Sequence, residues 1–301
     1  MREIGNREGE QTALGNLGNV CDTIGNYNLA IEYHQKALNI AQTIGDRLGE
    51  GKALGNLGAT YYIQGQYQQA ISNCNQYLTI AREIGDREGE GKALGNLGIT
   101  YYSLGNYRRA ISYHHQHLTI SREIGDRQGQ ATALGNLGNA HFSLGDCDKA
   151  IDYHQKALSI SRKIGDRLGE AQELGNLGNI FDTMGDYTEA INYYQQHLNI
   201  AREIGDRSGE GKALGNLGVT YDFLGEYQTA INYYHQDLAI AREIGERSSV
   251  ATSLGNLGVA YFSLGDYEKA IEFHLHHLTI ARELGEREAD GIALGILGNV
   301  Y

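Results

Sequence analysis

The hydrophobic positions of the chain follow a helical spacing that restarts every forty residues. Within residues 46–85, Leu54, Leu57 and Tyr61 recur at the i, i+3, i+7 spacing of a helix with one apolar face. A second apolar stripe of the same period occupies residues 67–84. Each forty-residue unit therefore predicts two helices of about 18 residues, each about 27 Å long.

Glycine and acidic residues mark the ends of these helices. Gly65 and Gly85 stand where the two apolar stripes end, and each is expected to cap its helix in the left-handed conformation. Asp86 follows as the expected N-cap of the next helix. Proline is absent from the chain. Connections of about two residues force neighbouring helices to pack antiparallel.

The repeated unit is visible directly in the letters. The hexapeptide ALGNLG stands at residues 13–18, 53–58, 93–98, 133–138 and 213–218, and one-residue variants stand at 173–178, 253–258 and 293–298. A fixed period of this size is typical of a repeat array, in which each unit packs on its neighbours. The sequence thus predicts an all-α fold, an α-solenoid that forms one continuous domain over residues 1–301.

The boundaries of the predicted solenoid follow from the same period. Residues 2–4 are expected to be the tail of a preceding second helix, and residues 286–301 the unpaired first helix of an eighth repeat. Between them we expect seven full helix pairs, at residues 6–45, 46–85, 86–125, 126–165, 166–205, 206–245 and 246–285.

The spacing of Leu54, Leu57, Gly58, Tyr61 and Ala70 resembles the consensus of the tetratricopeptide repeat (TPR). The forty-residue length and the Leu-Gly-Asn signature are similar to the LGN/Pins-like branch and to many cyanobacterial arrays. The resemblance implies a right-handed superhelix whose inner, concave wall is lined by the first helix of each pair. The acidic Gα-binding motifs that follow the repeats in the animal proteins are absent here, so regulation of Gα is not implied.

An asparagine recurs on the side of the first helix opposite its apolar stripe. Helical geometry places it about 180° from the buried leucines, and the resemblance places it on the concave wall. The members are Asn16, Asn56, Asn96, Asn136, Asn176, Asn216 and Asn256, with Ile296 at the eighth position. One turn further on, a second asparagine stands at Asn19, Asn139, Asn179 and Asn299.

Such an asparagine ladder has two interpretations. An asparagine side chain carries both a donor and an acceptor, so a row of them could clamp the backbone of an extended peptide. The resemblance implies this use, because TPR and kinesin-light-chain-like proteins bind ligands through groove asparagines. Gly55 and its equivalents would then let the ligand backbone approach closely. Alternatively, each asparagine bonds to the neighbouring repeat and sets the superhelical pitch.

Variable positions beside the ladder are candidates for ligand specificity. Lys52, Lys92 and Lys212 would add positive charge at one lip of the groove. Tyr62 and Tyr102 add aromatic surface at a position that is Asp182 and Asp222 in later repeats. The early repeats thus offer an aromatic, partly basic stretch and the later ones an acidic stretch. Neutral variation between copies is the alternative explanation.

Composition narrows the class of partner. The net charge of −12 and the pI near 5.4 argue against nucleic-acid binding, which needs a basic surface. No apolar run approaches the roughly 20 residues of a membrane span, and Met1 leads directly into the repeat without a signal peptide. The three cysteines occupy unmatched positions of the repeat, which indicates core residues in a reducing, cytoplasmic compartment.

The sequence contains no clear motif for catalysis or for metal binding. His114 and His117, like His274 and His277, form i, i+3 pairs, but a zinc site needs three or four converging ligands. His114 also occupies a repeat position that is tyrosine elsewhere, which favours a ring packed in the core. The segment 85–93, GDREGEGKA, fails the phosphate-loop pattern in its glycine spacing and its final residue. We therefore expect no enzyme activity and no cofactor.

The leading hypothesis is a scaffold that binds an extended peptide or a helix of a partner protein along the concave wall. One alternative is a regulatory or sensor region of a larger signalling protein with an NTPase or protease elsewhere. Another is a structural or designed array without a ligand. The apolar ends of the array also predict possible head-to-tail self-association.

Overall fold

The computed structural model describes residues 2–285, and side chains from residue 6 onward. Within these residues the chain forms helices and short turns, which confirms the all-α fold of consecutive helix pairs. The helices are α1 (Arg2–Thr23), α2 (Tyr27–Ile44), α3 (Arg47–Ile63), α4 (Tyr67–Ile84), α5 (Arg87–Ser103), α6 (Tyr107–Glu123), α7 (Arg127–Ser143), α8 (Cys147–Ile164), α9 (Arg167–Thr183), α10 (Tyr187–Ile204), α11 (Arg207–Phe223), α12 (Tyr227–Ile244), α13 (Arg247–Leu264) and α14 (Tyr267–Leu284).

The helices group into two compact units, Met1–Ile160 (unit 1) and Ser161–Tyr301 (unit 2). In each unit every helix packs on the next, and successive first helices also touch: α1, α3, α5 and α7 in unit 1, and α9, α11 and α13 in unit 2. One continuous domain and a right-handed superhelix stay predictions. The expected eighth first helix, with Ile296 and Asn299, lies outside the described residues.

The predicted caps are confirmed in the structure. Gly65 and Gly85 both adopt φ = +72°, which is the left-handed conformation that a glycine cap requires. The side chain of Asp86 accepts a hydrogen bond from the backbone nitrogen of Gly89 at 2.9 Å. The same pair of devices recurs along the array and keeps each connection short.

The N-terminal helix is an exception, and the expectation for residues 2–4 is wrong. These residues belong to α1, which runs without interruption through Gly5. At Gly45 the cap nitrogen donates to the carbonyls of Ala41 and Gln42, three and four residues earlier. Gly45 has φ = +75°, whereas Gly5 lies within the helical backbone of α1.

The core lies between the two helices of each pair and between neighbouring pairs. Leu54 and Leu57 are 2% and 1% exposed, as their apolar stripe predicts. Gly58 lets the second helix approach closely, because a Cβ atom there would stand 2.5 Å from the Sγ atom of Cys74. At Gly98 the same atom would meet the ring of His114. Close helix packing therefore accounts for Gly58 and Gly98, which lie in helix interiors where glycine is otherwise unfavourable.

Ion pairs join successive repeats at the start of α5 and α11. The carboxylate of Glu90 is buried, accepts from Arg82 Nε at 2.8 Å and also contacts Arg87. Arg87 in turn reaches Glu123 of the second helix in its own pair. Equivalent contacts recur at Arg207. They link α4 to α5 and α10 to α11, and so help to hold these first helices in register.

Candidate ligand-binding site

The asparagine ladder lies on one face of the adjoining first helices, which we call the asparagine face. Asn16 and Asn179 are exposed, as is Asn19, whereas the ladder members from Asn56 to Asn256, and Asn139, are half-buried. The three lysines predicted beside the ladder, Lys52, Lys92 and Lys212, are exposed. The opposite side of the same helices carries the buried leucines.

In unit 1 the asparagine face contains a cavity of about 540 Å³ between α1, α3, α5 and α7. Its walls bring together many residues predicted from the sequence. The lining residues are Asn19, Lys52, Gly55, Asn56, Ala59, Tyr77, Lys92, Gly95, Asn96, Ile99, His117, Thr132 and Asn136. Of the two lysines, Lys92 is held by Glu88 at 2.6 Å.

Two pairs of asparagines are bonded to each other across neighbouring repeats. Asn56 Nδ2 donates to Asn19 Oδ1 at 3.2 Å, and Asn216 Nδ2 donates to Asn179 Oδ1 at 3.1 Å. Asn179 also accepts a hydrogen bond from the hydroxyl of Tyr194. At these positions the ladder makes the contact between repeats that the structural interpretation expected.

Other members of the ladder lack that partner. Among residues 6–285, no hydrogen bond reaches the side chains of Asn96, Asn136 or Asn256. The cause lies in the preceding repeat, where the position of Asn19 and Asn179 is apolar: Ala59 precedes Asn96, Ile99 precedes Asn136 and Val219 precedes Asn256. These three amides are half-buried with open donors and acceptors, which makes them the ladder members best placed to meet a ligand.

The two tyrosines predicted beside the ladder each contact a serine of the next repeat. The hydroxyl of Tyr62 is 3.0 Å from Ser103 Oγ, and that of Tyr102 is 2.9 Å from Ser143 Oγ. Both contacts join the ends of neighbouring first helices. Neither tyrosine lines the unit 1 cavity. Their role in ligand binding stays a prediction.

The aspartates at the same position point into the contact between repeats. Asp182 Oδ1 accepts a hydrogen bond from Thr220 Oγ1 at 2.7 Å. Asp222 faces Ala260 at the equivalent position of the next repeat, and its Oδ1 atom is buried without a partner. Burial raises the pKa of Asp222. As ligand contacts, both aspartates remain predictions.

Unit 2 has a second cavity on its asparagine face, of about 420 Å³, between α11, α12 and α13. Lys212, Asn216 and Asn256 line it, together with Asp237 and Glu246. Asp237 is only 9% exposed, and its Oδ2 atom accepts a hydrogen bond from Ser253 Oγ at 2.6 Å. Burial raises the pKa of this carboxyl.

Sequence analysis missed the residues at the floor of both cavities. They come from one position of the second helix, which is Tyr77 and His117 in unit 1 and Asp237 in unit 2. Packing against this position also explains Gly55, because a Cβ atom there would stand 2.8 Å from Tyr77 Cε1. Close approach of a ligand backbone at Gly55 stays a prediction. One signal in the sequence could have revealed this position. The apolar period assigns it to the core, yet it carries tyrosine, histidine or aspartate in different repeats.

Comparison with known families decides the class of repeat. Models of the tetratricopeptide repeat match residues 13–48, 49–123, 89–163, 129–203, 171–243, 209–283 and 249–301. This chain belongs to the tetratricopeptide repeat family. No curated protein matches it. The closer resemblance to LGN/Pins-like proteins stays a prediction.

Solved structures share the fold of this TPR chain at low sequence identity. The apo form of RapI aligns with a TM-score of 0.72 and 16% identity, covering 92% of this chain and 99% of that one. A Rap protein complexed with Competence and Sporulation Factor gives 0.66 and 19%, covering 92% and 76%. A signal transduction ATPase from Pyrococcus horikoshii with a TPR sensor gives 0.77 and 18%, covering 97% and 45%.

The histidines at the repeat position of His114 are packed in the core, as expected from their exchange with tyrosine. His114 is 1% exposed, and burial lowers its pKa to about 3. His34 is also buried, and its Nε2 atom lies 3.1 Å from Asp22 Oδ2. Within the described residues there is no group of three or more potential metal ligands. No helix in that part of the chain is both long and apolar enough to cross a membrane.

Proposed function

We propose that this TPR chain is a protein-interaction scaffold that binds an extended segment of a partner protein along the asparagine face. The observation that carries the proposal is the pair Asn96 and Asn136, which line the unit 1 cavity and whose side chains form no hydrogen bond within the described residues. TPR repeats are generally non-catalytic scaffolds, so the family supports the broad class of function.

The chemistry of a half-buried amide favours a backbone ligand. Each free asparagine offers donor and acceptor groups on one side chain, which matches the carbonyl and N–H of a peptide unit. Without a ligand, a half-buried amide makes few hydrogen bonds with water, so its donor and acceptor groups are poorly satisfied. An extended chain that supplies both bonds satisfies it, independently of the ligand's side chains.

Residues around the two asparagines suggest what the ligand carries. Lys52 and Lys92 are exposed at the edge of the unit 1 cavity, and Tyr77 and His117 form its floor. This combination favours a ligand with an acidic side chain near the lysines and an apolar or aromatic one above the floor. The acidic net charge of the chain as a whole makes this local basic edge more selective.

Structural relatives are compatible with the proposal. One Rap protein of the same fold was crystallised with Competence and Sporulation Factor. The Pyrococcus ATPase contains its TPR array as a sensor and is more than twice as long as this chain. That second relative supports the alternative of a regulatory region, which would bind an effector on the same face.

Peptide display provides the test. Peptides selected on the wild-type chain are measured by titration calorimetry against a chain carrying Asn96→Ala and Asn136→Ala. The matched control is Asn75→Ala, because Asn75 is exposed on α4 and does not line the cavity. We expect the double variant to lose affinity at unchanged helicity and the control to keep it. Equal affinity for all three chains would refute the asparagine clamp, and selection of no peptide would refute peptide binding.

A further inference from the structure

The unit 2 cavity differs from its unit 1 counterpart in one buried group. Its floor is the carboxylate of Asp237, at the position that carries Tyr77 and His117 in unit 1 and His197 in the preceding repeat. Asp237 is 9% exposed. A charged group this deeply buried is costly unless a cation or several hydrogen bonds compensate it.

The bonds that Asp237 makes leave half of its carboxylate free. Oδ2 accepts from Ser253 Oγ at 2.6 Å, and Ser253 is itself fully buried beneath the cavity. Oδ1 has no hydrogen bond within the described residues and retains access to the cavity. Two glycines make room for the group, since Cβ atoms at Gly211 and Gly215 would stand 3.2 and 3.4 Å from its oxygens.

Among residues 6–285, no cation forms an ion pair with this carboxylate. Lys212 lines the same cavity, but in the described part of the chain it forms no ion pair with Asp237. Glu246 adds a second negative group to the wall and disfavours ionisation of Asp237 further. The cavity is thus more acidic than basic. A positively charged group that entered it would meet an unpaired carboxylate oxygen in partly dry surroundings.

We propose that the unit 2 cavity binds a lysine or arginine side chain of the partner polypeptide, with Asp237 as its counter-ion and Ser253 as a positioning residue. This inference rests on the proposed function, because it assumes that an extended chain lies on the asparagine face. Asn256, whose amide is free, lines the same cavity and provides the bond to the ligand backbone. The two cavities then select opposite charges.

The test uses a chain from which the unit 1 clamp has been removed. Random peptides are selected by display on the Asn96→Ala, Asn136→Ala chain and on the same chain with Asp237→Asn added. We expect the first selection to fix a lysine or arginine at one peptide position. The affinity of those peptides should fall about ten- to a hundredfold with Asp237→Asn, as expected for losing a hydrogen-bonded ion pair.

Two further variants separate binding from folding. Asp237→His with Ser253→Ala recreates the pair His197 and Ala213 of the preceding repeat, so it should fold and yet lose the basic peptides. Asp152→Asn is the charge-matched control, because Asp152 is exposed and pairs only with Lys156. Its affinity should equal that of the parent chain.

Each outcome decides the inference. Peptides without a basic position, or equal affinity after Asp237→Asn, overturn it. The same holds if the wild-type chain selects peptides but the chain without its unit 1 clamp selects none, and in that case the proposed function stands. If neither chain selects any peptide, the proposed function falls together with this inference.

Discussion

The unpaired carboxylate of Asp222 gives a quantitative test of how neighbouring repeats are held together. In unit 2, Thr220 donates to Asp182, whereas the equivalent neighbour of Asp222 is Ala260, which cannot donate. Tyr194 and Tyr234 follow the two aspartates at the same distance in sequence, although Tyr194 donates to Asn179 where the later repeat has Val219. Ala260→Thr should therefore create the missing hydrogen bond.

The expected gain follows from two contributions. A hydrogen bond to a charged acceptor contributes about 1.5–3 kcal/mol. The low end applies, because Asp222 is half-buried and the Thr220 hydroxyl also contacts the carbonyl of Asn216 in its own helix. Replacing alanine by threonine in a helix costs about 0.5 kcal/mol. Ala260→Thr should thus raise the free energy of unfolding by about 1 kcal/mol.

Urea denaturation followed by circular dichroism measures this gain, and hydrogen exchange in α11 and α13 locates it, since repeat arrays unfold in part locally. The reverse variant, Thr220→Ala, should destabilise the chain by about 1–2 kcal/mol, because it leaves Asp182 unpaired. In Ala260→Thr the pKa of Asp222 should fall. Unchanged stability in both variants would refute the inter-repeat role of this hydrogen bond.

Three further predictions concern the core and the N-terminal helix. The pKa of His114 is lowered to about 3, below its unfolded value, so the unfolded state binds more protons and stability falls as pH drops below about 6.5. At pH 5 the loss of stability is about 2 kcal/mol. Urea denaturation should show that His114→Tyr removes this loss. The same pH dependence in the variant and the parent chain would contradict the prediction. Gly98→Ala places a Cβ 2.4 Å from the His114 ring and should lower the free energy of unfolding by about 1–3 kcal/mol. Gly15→Ala, with no atom within 4 Å, should raise it by about 0.5–1 kcal/mol. Thermal melts in which both variants have equal effects would contradict the packing argument. Leu17 is 46% exposed where Leu57 is 1% exposed, so light scattering should show concentration-dependent association that Leu17→Glu weakens, and a strict monomer would exclude it.

Most of the fold could be predicted because the residues that define the buried face and the helix ends recur from repeat to repeat. Leu54, Leu57 and Gly58 define the buried face, Gly65 and Asp86 define the helix ends, and each signal recurs many times in phase. Where the repetition stops, prediction fails. Residues 2–4, expected to belong to a preceding helix, instead form the first turn of α1, which continues through Gly5.

The candidate site could be predicted only in outline. Helical geometry predicts a shared face for the ladder asparagines, but the two paired members, Asn56 and Asn216, find their partners 37 positions earlier, where Asn96 has Ala59. The floor of each cavity comes from the second helix, at Tyr77 and Asp237. A single-helix period cannot reveal contacts between helices of different repeats.

The claim that unpaired asparagines hold the ligand can be tested at the side chains themselves. Nuclear magnetic resonance of the side-chain amides, assigned through the alanine variants, is recorded while a display-selected peptide is added. We predict that the amide signals of Asn96 and Asn136 shift and exchange more slowly with solvent, while those of Asn75 stay unchanged. Saturating peptide that leaves the signals of Asn96 and Asn136 in place would contradict the account.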